Sequence, residues 1–218
     1  EALAVIKYHE LRNDRVLVLA PKRLRDNWTL YKANDKRNVL AADRFNYDVL
    51  NHTDLSRDGG NSGDIDLSHV NWGNYDLVVI DESHNLRNRE GRRYKAISEY
   101  IRSCDAKVIL LTATPYNKTK HDLSAQLRLF IDERANIGIR PERHMRKHGI
   151  SEAEFERKNQ CRVNSILAIE KSEEFDDWRE LIRLYMVRRT RSFIIQHYTE
   201  ADKHGRRPRM LVCKMGQD

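Results

Sequence analysis

Two adjacent carboxylates, Asp81 and Glu82, directly follow a short apolar run over residues 77–80, and His84 comes two residues later. Four apolar residues are too few for a helix and are typical of a buried strand in a parallel sheet. Ligands of open α/β sheets collect at the carboxyl ends of such strands. Asp81 could hold a hydrated Mg²⁺ on a nucleotide, and Glu82 could orient the water that attacks its γ-phosphate. The pattern predicts phosphate chemistry at this strand end.

A second apolar run, residues 108–111, ends in hydroxyl groups rather than carboxylates. Thr112 and Thr114 follow it, and Pro115 then breaks the pattern. A strand that ends in hydroxyls beside a strand that ends in acids favours a motor driven by a nucleotide. We therefore expect Thr112 and Thr114 to lie close to the acid pair.

The elements that must position these residues alternate between strands and helices. Strands are predicted at residues 16–20, 39–40, 48–50, 76–80 and 108–111. Helical spacing of apolar residues predicts three helices between them, one marked by Leu3, Ile6 and Leu11, one by Leu24, Trp28 and Tyr31, and one by Tyr94, Ile97 and Ile101. Residues 56–66, rich in Gly, Ser, Asn and Asp, predict a flexible loop. Such alternation indicates an α/β fold with a parallel sheet.

The sequence changes character after Pro115. Leu123, Leu127 and Phe130 predict an amphipathic helix, and residues 132–174 are charged and mostly helical in pattern. Ser151 and Glu154 form a predicted capping box. Phe175, Trp178, Leu181 and Tyr185 mark a further helix, and residues 210–213 predict a last strand that returns to the sheet.

Composition limits the class of protein. The 218 residues include 39% hydrophobic and 33% charged residues, with a formal charge of +7. A basic surplus fits a phosphate-rich partner, although ordinary soluble proteins also carry one. The three cysteines, Cys104, Cys161 and Cys213, form no CxxC pair, which argues against a zinc site or a disulfide framework. No apolar run approaches membrane-spanning length. We expect a cytoplasmic protein with no membrane partner, associated with the nucleoid if it is prokaryotic.

Five segments, in their order along the chain, resemble the motifs of Swi/Snf-type ATPases in helicase superfamily two. They are residues 16–24 with Asn27 and Trp28 (motif Ia), 51–54 (motif Ib), 81–88 (the acidic Walker B box), 111–115 with Asp122 and Leu123 (motif III), and 186–191 near the end of the first lobe. Ala113 and Ser83 depart from the residues common in eukaryotic remodellers, as do Asn117 and Lys118. These departures favour a prokaryotic member.

The resemblance implies a RecA-like parallel sheet with helices on both faces and a helical protrusion. Residues 1–131 would be part of the first lobe, 132–185 the helical insertion, and 186–218 a return segment that closes the lobe. The implied activity is ATP hydrolysis that drives translocation on double-stranded DNA, with ATP and Mg²⁺ as cofactors. A protein partner could bind the protrusion. Within the protrusion, His144 and His148 are four residues apart and are predicted to be a pair on the helix surface rather than metal ligands.

The resemblance also assigns roles to individual residues. Asp81 would position Mg²⁺ through water, and Glu82 would be the general base or orient the water. His84, Thr112 and Thr114 would link the state of the γ-phosphate to the nucleic-acid track. Four residues fall at the motifs that contact nucleic acid: Lys22, Arg23, Asn51 and Thr53.

A phosphate loop of the form GxxxxGK[ST] is missing from the 218 residues. We therefore expect the chain to start just downstream of that loop, within a larger protein that also supplies a second lobe. Three alternatives stay open at this point. They are a restriction or phage-defence motor subunit, an RNA helicase of the same superfamily, and a catalytically inert nucleic-acid-binding or scaffold module.

Overall fold

A four-stranded, fully parallel sheet forms the centre of the computed structural model, which describes residues 1–57, 59–115 and 120–187. Its strands are β1 (Val16–Ala20), β2 (Asp48–Asn51), β3 (Leu77–Ile80) and β4 (Lys107–Leu110), in the spatial order β2-β1-β3-β4. The register pairs Leu17 with Asp48 and Val16 with Leu77. The predicted α/β fold with a parallel sheet is confirmed.

Eight α-helices surround or extend this sheet in the described residues. They are α1 (Ala2–Glu10), α2 (Arg25–Thr29), α3 (Arg92–Ser103), α4 (His121–Leu127), α5 (Glu142–His148), α6 (Glu152–Asn159), α7 (Ile166–Glu170) and α8 (Phe175–Tyr185). None of the helices in this part of the chain is long and apolar enough to cross a membrane.

Helices cover both faces of the sheet, as predicted. Successive side chains of a strand point to opposite faces, so β1 sends Leu17 and Leu19 to one side and Val16 and Val18 to the other. The first side packs against Ile97 of α3, and the second packs against α1. Burial on both faces explains why the strands read as continuous apolar runs.

The predicted strand at residues 39–40 is wrong. Val39 is 86% exposed, and the segment forms a turn organised by Asn38. The Asn38 amide group donates to the carbonyls of Tyr31 and Ala33, while its oxygen accepts from the Leu40 backbone N–H. A side chain that satisfies the local backbone in this way competes with pairing in a sheet.

The predicted loop at residues 56–66 contains a two-stranded antiparallel hairpin, Asn61–Ser62 with Ile65–Asp66. Arg25 on α2 fixes it by donating to both the hydroxyl and the carbonyl of Ser62. The last predicted strand, residues 210–213, lies outside the described residues.

The region beyond α4 forms a helical unit with its own apolar clusters. One cluster joins Leu123 and Leu127 of α4 to Trp178 and Leu181 of α8. The Ser151–Glu154 capping box is present at the start of α6. Phe130 lies beyond the end of α4, because the helix stops at Leu127. The predicted boundaries between the lobe, the insertion and the return segment, at residues 131/132 and 185/186, stay predictions. The apolar side chains of α4, before the first boundary, pack against those of α8, beyond it.

A buried carboxylate joins two helices of this unit. Asp177 on α8 is 1% exposed and accepts hydrogen bonds from the backbone N–H groups of Arg143 (2.9 Å) and His144 (3.1 Å) at the start of α5. The Ser172 hydroxyl donates to the same carboxylate at 2.5 Å. The three donors compensate for burying the charge, which otherwise costs several kcal/mol.

Replacing Asp177 by Ala should lower the free energy of unfolding by about 2–3 kcal/mol, because it leaves buried N–H groups at the start of α5 without an acceptor. The neighbouring Asp176, which is exposed and forms an ion pair with Arg179, supplies the matched control. Asp176→Ala should change stability by less than about 0.5 kcal/mol. Urea unfolding followed by circular dichroism measures both, and equal losses in the two variants would contradict this account.

Candidate functional site

All four strands end at one edge of the sheet, and polar residues follow each of them. Lys22 and Arg23 come after β1, residues 51–53 after β2, Asp81 and Glu82 after β3, and residues 112–114 after β4. Because β3 and β4 are neighbours, the acids and the hydroxyls are brought together, as the sequence predicts.

Asp81 directly continues the ladder of β3, because its backbone N–H donates to the Leu19 carbonyl at 2.8 Å. One carboxylate oxygen, Oδ1, accepts from the backbone N–H of Glu82 at 2.9 Å. The other, Oδ2, accepts from the indole Nε1 of Trp28, also at 2.9 Å. The carboxylate is only partly buried, and each oxygen keeps a lone pair for a further ligand.

The donor set around Asp81 fits a hydrated Mg²⁺. The described residues contain no cluster of three or more His, Cys, Asp or Glu side chains that could hold a metal ion alone. Mg²⁺ keeps several waters and commonly uses one or two carboxylates together with phosphate oxygens. Asp81 could supply the carboxylate, with water and phosphate completing the shell.

Glu82 adopts a left-handed backbone conformation, with φ 50° and ψ 46°. Such a conformation is uncommon for a residue other than Gly and costs on the order of 1 kcal/mol. The next residue, Ser83, is fixed by a hydrogen bond from its N–H to the Leu111 carbonyl at 2.9 Å. The chain therefore leaves β3 abruptly at Glu82 and enters the short 3₁₀ helix Ser83–Leu86.

His84 lies between the acid pair and the hydroxyl strand. Its Nδ1 is 2.9 Å from Oε2 of Glu82 and 3.3 Å from Oγ1 of Thr112. The contact to Glu82 is a close approach at ion-pair distance, and the contact to Thr112 is a hydrogen bond. The His84 ring nitrogen thus brings the three predicted residues together across the ends of β3 and β4.

Further bonds connect the same 3₁₀ helix to the segment after β4. The Arg87 guanidinium donates to the carbonyl of Thr114 at 2.9 Å and to its hydroxyl at 3.1 Å. The Ser83 hydroxyl donates to the Gln126 side-chain oxygen at 2.7 Å, and the Gln126 amide group donates to the Pro115 carbonyl. Sequence reasoning gave Arg87 and Gln126 no role, and only the polar type of Gln126 in an apolar helix pattern could have drawn attention to it.

The four residues predicted to contact nucleic acid differ in how far their side chains are exposed to solvent. Lys22, Arg23 and Thr53 have exposed side chains along the edge. The Asn51 amide group instead donates inward, to Asp54 at 3.0 Å and to the Ser62 hydroxyl at 3.1 Å. The roles of these four residues in nucleic-acid contact stay predictions. The orientation of Asn51 shows that its amide N–H groups already have acceptors.

His52, between Asn51 and Thr53, is 2% exposed, and neither of its ring nitrogens has a hydrogen-bond partner in the described structure. Burial lowers the pKa of His52 to about 4, and the charge of Arg93 adds to this effect. The nearby backbone of Asp81 and Leu19 opposes it only in part. The imidazole is therefore neutral at neutral pH.

His52 should make stability depend on pH. Its pKa is lower in the folded chain than the unfolded value of 6.5, so the unfolded chain binds the proton first as pH falls. The stability due to the neutral ring is complete above pH 6.5 and is lost as pH falls toward 4. Between pH 7 and 4.5 the wild type should lose about 2–3 kcal/mol more than His52→Leu in urea unfolding. Parallel pH profiles for the two proteins would contradict the assignment.

An open groove adjoins the site along β4, which pairs on one side only in the described sheet. The backbone N–H groups of Lys107 and Leu111 donate to the β3 side, so in a parallel ladder those of Val108 and Leu110 face the groove. The cavity is about 860 Å³, and Thr112 and Thr114 line it together with Val5 of α1, Leu181 and other apolar residues.

Comparisons with known proteins give likenesses among solved structures only. No protein-family model and no curated protein matches the sequence. Among solved structures, the chain is similar to the SWI2/SNF2 ATPase core of Sulfolobus solfataricus in complex with double-stranded DNA, with a TM-score of 0.49 and 21% identity. The match covers 87% of this chain and 37% of that one, so this chain spans little more than a third of its length. A likeness at this level does not assign the chain to a family.

Proposed function

We propose that this chain is part of the first motor lobe of an ATPase that moves along double-stranded DNA. The observation that carries the proposal is the cluster of Glu82, His84 and Thr112, in which one His84 nitrogen contacts both other residues, beside Asp81 at the carboxyl edge of a parallel sheet. A carboxylate for Mg²⁺, a second carboxylate for water and a contact to the neighbouring strand are the groups that hydrolysis of a nucleoside triphosphate requires.

Within this proposal each residue has a separate task. Mg²⁺, when bound, would neutralise charge on the β- and γ-phosphates. Asp81 orients a ligand water through its free lone pairs, while Trp28 and the Glu82 N–H hold its carboxylate. Glu82 orients the attacking water and accepts its proton. His84 keeps the Glu82 carboxylate at the strand end and contacts Thr112, where the position of the γ-phosphate can be sensed.

The triphosphate itself needs donors that the 218 residues lack, since no phosphate-loop motif is present. We propose that a phosphate-binding segment of the larger protein lies along the open edge of β4. Support comes from the groove, where the N–H groups of β4 that face away from β3 have no strand partner within residues 1–57, 59–115 and 120–187, beside Thr112 and Thr114. A strand added there in parallel would end at the same edge as the acid pair.

The nucleic-acid track is proposed to follow the same edge on the β1 and β2 side. Lys22, Arg23 and Thr53 are exposed there, and cations with hydroxyls suit contacts to the phosphate backbone. A translocating motor must pass every sequence, so backbone contacts serve it better than reading of base edges.

Glu82→Gln in the intact motor protein should lower ATP turnover on the order of 10²-fold or more, because it removes the charge that orients the water while keeping the side-chain shape. ATP binding should persist. Glu90→Gln, on an exposed side chain that forms an ion pair with Lys95, is the control and should leave turnover unchanged. Steady-state hydrolysis assays measure both. Unchanged turnover in Glu82→Gln would show that the acid pair is not catalytic.

Lys22→Ala should weaken binding of the intact protein to duplex DNA about equally for unrelated sequences, and it should reduce the slope of log affinity against log salt by roughly one unit. Lys158→Ala, an exposed change on α6 far along the chain, is the control and should leave the slope unchanged. Fluorescence anisotropy across a salt series gives both slopes. A loss confined to one DNA sequence would argue for base readout instead.

A further inference from the structure

The indole of Trp28 connects two parts of the edge that lie on different strands. Trp28 belongs to α2, yet its Nε1–H donates to Oδ2 of Asp81, which follows β3, at 2.9 Å. Its sequence spacing fits core packing alone, and the ring does pack on the apolar cluster beside the sheet. The hydrogen bond to Asp81 is a contact in addition to this apolar packing.

Trp28 is held in place from its other side. The Tyr47 hydroxyl donates to the Trp28 carbonyl at 2.7 Å, and the two rings meet edge to face with centroids 6.0 Å apart. Tyr47 is fully buried, so this contact is anchored in the core. The carbonyl and the ring of Trp28 therefore both contact Tyr47, which keeps the indole in a fixed relation to its own backbone.

That backbone also carries the exposed cations. The 3₁₀ turn Lys22–Leu24, α2 and the 3₁₀ turn Leu30–Lys32 follow one another without a break. Lys22 and Arg23 thus belong to the same short helical segment as Trp28, about one and a half turns before it. Continuous helical backbone therefore connects both cations to the residue that carries the indole.

In the part of the chain that the structure describes, the Asp81 carboxylate accepts one hydrogen bond on each oxygen, from Trp28 on Oδ2 and from the Glu82 N–H on Oδ1. The Glu82 donor is part of the fixed turn after β3, whereas Trp28 is on a separate element. A small displacement of α2 therefore changes one of the two bonds and turns the carboxylate about the other.

We infer that Trp28 is a positioning residue, which couples contact of Lys22 and Arg23 with a phosphate backbone to the orientation of the Asp81 carboxylate. This inference rests on the proposed function, because it needs the edge beside β1 to bind nucleic acid. Binding at the cations shifts α2, and the indole N–H transmits the shift to the residue that would orient a water of Mg²⁺.

The bond itself is tested by NMR of the 218-residue chain labelled with ¹⁵N-tryptophan. The chain has three indole signals, and Trp28→Phe assigns that of Trp28, leaving Trp72 and Trp178 as internal controls. Asp81→Asn should move the Trp28 indole proton upfield, because an amide oxygen is a weaker acceptor than a carboxylate. Asp76→Asn changes the carboxylate that directly precedes β3, at the opposite edge of the sheet, and should leave the Trp28 indole signal unmoved. An unmoved signal in Asp81→Asn overturns the inference.

The coupling is tested by adding a short DNA duplex to the same labelled chain, with binding followed separately by anisotropy. Saturating duplex should shift the Trp28 indole signal in the wild type, and the shift should shrink in Asp81→Asn. Binding without a shift overturns the coupling but leaves the proposed function standing. A shift of equal size in Asp81→Asn also overturns it, since the indole would then be sensing the duplex directly. If the duplex does not bind, that result contradicts both the proposed function and the coupling. The Asp81→Asn spectrum without DNA still tests whether Trp28 donates a hydrogen bond to Asp81.

Discussion

The ladder hydrogen bonds that continue past the end of β3 are the interaction on which the candidate site depends. Asp81 N–H donates to the Leu19 carbonyl at 2.8 Å on one side, and Leu111 N–H donates to the Ile80 carbonyl at 2.8 Å on the other. These bonds place the first carboxylate directly at the sheet edge, between the ends of β1 and β4. Parallel strands make this possible because all their carboxyl ends share one edge.

The 3₁₀ helix Ser83–Leu86 connects the end of β3 to the residues that follow β4. It begins after the left-handed Glu82, and two of its side chains bond away from β1, His84 to Thr112 after β4 and Ser83 to Gln126 of α4. Asp81 bonds in the opposite direction, to Trp28 beside β1. The acid pair is thus divided: Asp81 is connected to the proposed nucleic-acid side, and Glu82 to the strand that borders the open groove.

Sequence reasoning reached the sheet and the acid pair because both depend on local patterns. Continuous apolar runs identify strands buried on both faces, and the residues that follow them identify the edge. It failed at residues 39–40 because one side chain, Asn38, satisfies the backbone and forms a turn that apolar content does not reveal. It also missed the bond from Trp28 to Asp81, since the partners are 53 residues apart and spacing along a helix carries no information about such contacts. The inward-facing Asn51 amide depends on Asp54 and Ser62 in the same way.

Hydrolysis of ATP by the intact protein, with and without duplex DNA, tests the central claim most directly. Mg²⁺-dependent hydrolysis that duplex DNA stimulates irrespective of its sequence is the expected result, because in the proposed function the acid pair and the cationic edge belong to one connected site. Stimulation by single-stranded RNA in place of duplex DNA would contradict the assignment of the track. Absence of hydrolysis under all these conditions would contradict the motor itself and leave a nucleic-acid-binding or scaffold module.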